Sequence, residues 1–243
     1  MGICDGRVVI VTGSGRGIGR EHALAYAAEG AKVVVNDLGG DMHGDGGSLS
    51  PAMEVVEEIK GMGGEAVADG ENVADFAGAG RMVQRAIDTF GSVDTIVNTS
   101  SPSGIFGNAG QTNYGAAKAG VAAFTIICGL ELVRYGVCAN AIAPVARTRM
   151  TEQLMGGGGA PAEGFDALDP ANISPLVVWL GSNDNADVNG RVFLVDGDRV
   201  SVAEGWRRGP TARNDGMRWE PAQLTKVVPG LVAEAQPNST MMS

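Results

Sequence analysis

The chain has 243 residues and carries 28 acidic side chains against 18 Lys and Arg, a net charge of −10 with no basic cluster to offset it. That balance argues against a nucleic-acid partner. A hydrophobic share of 44% suits one packed α/β domain, or at most two small ones.

No apolar run is expected to reach the ~20 residues of a membrane helix. The opening MGICDGRVVIVTG enters a strand without the basic, apolar and small-residue series of a signal peptide. A cytoplasmic protein with no membrane partner is therefore expected. Cys4, Cys128 and Cys138 lack CxxC spacing and read as reduced thiols. His22 and His43 lie far apart and give a metal site little support.

In chain order, RVVIVTG at residues 7–13 is a short apolar run closed by glycine, the pattern of a buried parallel strand. GIGREHALAYAAEG comes next with helical spacing of Ile18, His22, Ala25 and Tyr26, and Gly30 stops it. AKVVVND is a second strand, and SPAMEVVEEIKGMGG a helix with Pro51 near its start. EAVADG is a third strand, DFAGAGRMVQRAIDTFG a third helix, and VDTIVN a fourth strand. Residues 113–134 are Ala-rich and helical. VCANAIAP and RVFLVDG are two more strands, with ISPLVVWLGS as a helix between them.

The alternation predicts right-handed βαβ units and a doubly wound Rossmann-type α/β sheet of six strands. Residues 1–208 form this dinucleotide-binding domain, and 209–243 a polar, Pro/Gly-punctuated tail. Two Gly-rich stretches, LGGDMHGDGGSLS and Gly156–Gly159, read as surface loops. The second also comes after a strand's C-terminal end, where a substrate lid would lie.

TGSGRGIG sits between the first strand and first helix, where backbone amides and the helix N-terminus face a pyrophosphate. Its spacing is G-x-x-x-G-x-G rather than the general G-x-G-x-x-G; its place between strand and helix is what gives it weight. Asp37 ends the second strand, where a carboxylate accepts from the adenosine ribose hydroxyls and repels a 2′-phosphate. Arg16 pulls the other way, since a cation in the turn can pair with that phosphate. Asp37 would face the phosphate while Arg16 can swing to solvent, so NAD is favoured.

Tyr114 and Lys118 share one helix face. A lysine beside a tyrosine lowers the phenol's pKa and makes it a usable acid/base. Ser101, thirteen residues before Tyr114, can hydrogen-bond a substrate oxygen. The pair alone is common by chance; with the Gly turn, Asp37 and Ser101 in order, it is not.

With these residues in place the sequence resembles the short-chain dehydrogenase/reductase family. More narrowly, it is similar to the (3R)-hydroxyacyl-CoA dehydrogenase domain of peroxisomal-type multifunctional enzymes and its stand-alone bacterial relatives. GRVVIVTGSGRGIGR, VVVNDLGGD, VVEEIK, SSPSGIFGNAGQTNYGAAKAG and NAIAPVARTRMT carry the likeness, and NDLGGD and GIFGNAGQTNY point to that branch. The resemblance implies Tyr114 as general acid/base. Lys118 then lowers its pKa and holds the nicotinamide ribose, while Ser101 polarises the substrate oxygen. It further implies a cofactor turn of Gly13, Arg16, Gly17, Ile18 and Gly19, with Asp37 on the ribose and Asn72 and Val73 at the adenine. Hydride then passes between nicotinamide and the substrate's C3.

Two elements of that family have no counterpart here. One is the Asn-Asn-Ala-Gly turn after the fourth strand; the other is the helix carrying a fourth catalytic residue, an asparagine. VDTIVN leads straight to TSS, whereas a βαβ unit takes ~30 residues or more. Asn98 is either the start of the missing turn or the residue before Thr-Ser-Ser. A deletion between two similar strand strings accounts for both readings. Residues 93–99 are then expected as one strand beside the first. The lost helix packs at the family's subunit interface, so a homo-oligomer would be weakened. The leading function is NAD-dependent interconversion of a secondary alcohol and a ketone on a small-molecule or acyl-CoA substrate. The alternatives are reduction of another carbonyl class and a non-catalytic NAD-binding protein.

Overall fold

The computed structural model describes residues 2–40, 48–148, 161, 163–185 and 187–240. Gly156–Gly159, His43 and part of the first Gly-rich stretch lie outside these residues. All six expected strands form: β1 (Val8–Thr12), β2 (Lys32–Asn36), β3 (Glu65–Asp69), β4 (Thr95–Thr99), β5 (Cys138–Val145) and β6 (Val192–Asp196). A seventh, β7 (Arg199–Val202), folds back antiparallel on β6 across Gly197 and Asp198. Its signal was the Asp-Gly-Asp turn after RVFLV, the chemistry of a tight hairpin. The sheet is therefore mixed at this edge rather than wholly parallel.

The strands form two sheets. One has the order β1-β2-β3 and the other β4-β5-β6-β7. The expectation that residues 93–99 lie beside β1 is corrected, because β4 pairs along all five residues with β5. Only the residue before it reaches β1: Asp94 accepts from the Val8 amide through Oδ2 at 2.7 Å, and its own amide donates to the Val8 carbonyl at 3.3 Å. The physical reason lies past the strand. Ser100 donates to the Ile142 carbonyl at 2.7 Å, and the next two helices pack on β4 and β5, so the end of β4 is drawn to β5.

Helices α1 (Gly17–Ala28), α2 (Ser50–Gly61) and α3 (Phe76–Phe90) cross over between the first strands. Pro51 starts α2, and the Asp75 carboxylate caps α3 by accepting from the Ala77 and Gly78 amides. After β4 come α4 (Pro102–Ile105) and α5 (Thr112–Leu132); α6 (Ser174–Gly181) precedes β6. The largest core cluster joins Val9, Val11, Val33 and Val35 to Tyr26 of α1, and to Ile142, Val178 and Phe193 beside the second sheet. Side chains of α1 and α6 thus bind the two sheets together where the backbone ladder does not.

α5 packs through Ala122, Thr125, Cys128 and Gly129 and leaves Phe124, Ile127 and Leu130 exposed. With the turn at its end, the 24 residues Thr112–Tyr135 are long and apolar enough to cross a membrane, which corrects the expectation that no such run exists. A core helix short of a neighbour has the same composition, and α5 lies along β4 and β5. At the C-terminus the expected polar tail contains a helix, α7 (Pro221–Glu234), that buries no side chain.

Candidate active site

The turn after β1 is built for backbone. Gly13 and Gly17 hold φ of +63° and +55°, the left-handed region that side chains resist. At Gly19 a Cβ would stand 2.4 Å from the Gly13 carbonyl oxygen, so α1 and the turn meet only if that position is glycine. Arg16 is the N-cap of α1, yet no side chain caps its first amides and no acidic residue sits in its first turn. Those amides, including that of Ile18, are left for an anion at a 12-residue helix's positive end. The turn fits a dinucleotide's pyrophosphate.

Asp37 does more than its place at the end of β2 foretold. Its Oδ2 accepts from the Gly15 amide at 2.8 Å and its Oδ1 from Gly39 at 2.7 Å. The carboxylate ties the Gly turn to the second strand, and each oxygen keeps a lone pair for a ribose hydroxyl. Asn72 and Val73 come after β3 on the surface, where the Asn72 side chain accepts from the Ala74 amide at 2.9 Å. Behind them lies a network not foreseen in the sequence. Buried Asp69 accepts from Asn36 at 2.7 Å and from Arg85 at 2.7 Å, holding the ends of β2 and β3 together. Polar residues ending two adjacent strands were its signal.

Ser101 caps α4, and its hydroxyl accepts from the Ser103 amide at 3.2 Å. The α4 turn presses on α5 at the lysine: a Cβ on Gly104 would lie 2.6 Å from the Lys118 carbonyl carbon. Ser100 donates to the Lys118 carbonyl oxygen at 2.7 Å. Ser101, Tyr114 and Lys118 thus stand on two helices in direct contact. The Lys118 ammonium lies 5.8 Å from the Tyr114 ring centre and donates to the Thr99 carbonyl at 2.9 Å. Tyr114 is 39% exposed, open to a substrate. Asn98 is turned to α5, where its amide donates to Thr125 Oγ1 at 2.9 Å. Thr99 and Ser100, which fix Lys118, were missed because they act through backbone and a single hydroxyl, and no motif marks them.

A cleft between the two sheets is lined by Val9, Ile10, Val11 and Thr12 of β1 and by Thr95, Val97 and Thr99 of β4. His22, Tyr26 and Val177 floor it. The His22 ring contacts Ser174 Oγ through Nδ1 at 2.9 Å, while its buried Nε2 has no partner among the described residues. Burial pushes the His22 pKa down to about 4.

Comparison with known proteins accords with this arrangement. The family model described as short chain dehydrogenase matches residues 7–98 and 94–156. A short-chain type dehydrogenase/reductase of Mycobacterium tuberculosis is 37% identical over 244 aligned positions, covering 80% of this chain and 83% of the relative. A hydroxyacyl-CoA dehydrogenase of the same organism is 31% identical over 299 positions, covering 97% and 92%. Mouse peroxisomal multifunctional enzyme type 2 is 37% identical over 241 positions, which cover 79% of this chain but only 32% of that enzyme. Among solved structures, a short chain dehydrogenase from Mycobacterium avium superposes with a TM-score of 0.83 at 44% identity, covering 98% of this chain and 99% of that one. The Gly turn, the Ser-Tyr-Lys helices and these likenesses lead to one statement: the chain belongs to the short-chain dehydrogenase/reductase family.

Proposed function

We propose that the protein is an NAD-dependent oxidoreductase that interconverts a secondary alcohol and a ketone on a 3-hydroxyacyl thioester. The observation that carries the reading is the contact of α4 with α5, which gathers Ser101, Tyr114 and Lys118, together with the uncapped Gly turn after β1. The acyl-CoA class rests on the hydroxyacyl-CoA dehydrogenase relative. The preference for NAD rests on Asp37, and a cytoplasmic setting is part of the same proposal.

In this reading NAD, when bound, accepts or gives the hydride. The Gly13–Gly19 amides hold its pyrophosphate, and Asp37 holds the adenosine ribose. Ser101 donates to the substrate oxygen and Tyr114 exchanges a proton with it. Lys118, beside the ring, reaches the nicotinamide ribose once it leaves the Thr99 carbonyl. Tyr114→Phe removes the proposed proton donor and should lower turnover at least 100-fold, with NADH affinity unchanged within a factor of about two. Near-normal turnover in that variant would overturn the assignment.

The missing crossover belongs to the same proposal. Residues 94–98 are matched twice by the family model, once at the end of its first segment and once at the start of its second. The alignment with the M. tuberculosis short-chain relative runs over 244 positions but uses 80% of this 243-residue chain. About 50 residues of that relative are therefore without counterpart here, more than the ~30 of a βαβ unit. The double match points to β4 as the place of an internal loss, the alignment length fits a loss within the chain, and turnover below that of the relatives is expected.

A further inference from the structure

We propose that the cleft between β1 and β4 is an acceptor site for one short, extended, apolar peptide strand running parallel to both. The proposal rests on the reading that a strand is missing at β4, and the geometry of the cleft specifies what would fill it.

The backbone states the demand. In a parallel ladder alternate residues turn both amide and carbonyl to the same neighbour. The Arg7 carbonyl accepts from Lys32 at 2.8 Å, so Val9 and Val11 also face β2, and Val8, Ile10 and Thr12 face the other way. On β4, Ser100 bonds Ile142 of β5, so Ile96 and Asn98 face β5 and Thr95, Val97 and Thr99 face the cleft. Val8 is satisfied by Asp94, and the Thr99 carbonyl accepts from Lys118. The backbone groups of Ile10, Thr12, Thr95 and Val97 have no bond to the opposite strand. Two edges of the same direction face each other with their hydrogen-bonding groups unused, which is the template of β-strand addition.

The lining states the chemistry. Val9, Ile10, Val11 and Val97 make part of the walls apolar, Thr12, Thr95 and Thr99 add polar groups, and the Lys118 ammonium reaches the mouth at the Thr99 carbonyl. The buried Nε2 of His22, without a partner among the described residues, lies at its floor. The Asp94–Val8 contact pins the cleft shut at the start of β4, so it accepts a strand from the side of the strands' C-terminal ends. About four extended residues, at ~3.3 Å each, span the open stretch. β-branched side chains without charge match such walls.

The test uses the 243-residue protein and a fluorescein-labelled octapeptide, Lys-Lys-Val-Ile-Val-Val-Lys-Lys. A control peptide carries N-methyl groups on alternate central amides, which removes its donors and keeps its apolar bulk. The expected result is saturable binding that the N-methyl peptide loses at least tenfold. Amide exchange of Ile10 and Thr12 should slow at least tenfold, and the His22 ring resonances should shift. Thr12→Pro, which deletes one cleft-facing amide without a bond to β2, should weaken binding severalfold. A chain carrying the missing βα unit of the Mycobacterium avium relative after Asn98 should not bind. Absence of binding, equal binding of the N-methyl peptide, or undiminished binding by the grafted chain would overturn the proposal. So would protection of Ile10 and Thr12 that rises with protein concentration without peptide, since a second copy would then be the occupant. None of these readouts uses NADH or turnover, so failure of the dehydrogenase reading would show separately.

Discussion

Asp37 carries two loads, and they make different demands on a substitution. Asp37→Ala would free the Gly15 amide as well as removing the charge that opposes a 2′-phosphate. Asp37→Asn keeps an acceptor for one of the two amides and isolates the charge. We expect it to narrow the preference for NADH over NADPH at least fivefold, read by fluorescence titration of both cofactors. Tighter NADPH binding by the unaltered protein would refute the assignment of Asp37. His22 offers a second check. Its folded pKa of about 4 lies below its ordinary value of 6.5, so the unfolded chain takes up the proton first as pH falls. Its contribution is complete above pH 6.5 and is lost as pH drops toward 4. The loss approaches ~3 kcal/mol, and His22→Gln should flatten that part of a stability–pH curve. Such pairings are illegible in the sequence: His22 reads as one more helical position, because its partner Ser174 lies 152 residues away.

At the scale of the element, most boundaries were legible because local chemistry sets them. Pro51 opens α2, Gly91 closes α3 at φ +98°, and Asp75 caps its start. Asp75→Ala should cost ~1 kcal/mol in urea denaturation, and an unchanged midpoint would show that the α3 cap bears no weight. β7 escaped because its four residues are all exposed and no apolar face marked them. α7 escaped because Pro229 and Gly230 stand within the helix and it buries no side chain. β4 was legible as a strand but its neighbour was not. A string such as VDTIVN fixes extended backbone, whereas its pairing is decided by the packing of α4 and α5 further along the chain. The Gly turn and the Tyr-Lys helix were readable because a strand-turn-helix and a four-residue spacing are local. The Lys118–Thr99 bond was not, since it forms where β4 lacks a neighbour.

At the scale of the molecule, two half-sheets share one side-chain core. If a βα unit is lost after Asn98 as proposed, grafting one there should unite them, raise the thermal midpoint by several degrees and increase turnover at least tenfold. Thermal denaturation and a coupled NADH assay would measure both. Equal activity of the ungrafted chain and a relative would refute the idea that the loss impairs it.

The seam between the half-sheets also bears on how hydride could move. The turn that fits the pyrophosphate stands on β1, and the helix that carries Tyr114 stands on β4 and β5. In an unbroken sheet the backbone ladder would act as a ruler between them. Here that separation depends on the packing of Tyr26, Val177 and their neighbours, and side chains yield more readily than paired strands. On the proposed chemistry, donor and acceptor carbons must come within ~3–3.5 Å, so each turnover would wait for the two halves to sample that distance. Substrate could bind as well as in a relative while the reactive encounter became rare. The loss would then appear in kcat and in the spread of donor–acceptor distances, leaving ground-state affinity largely intact.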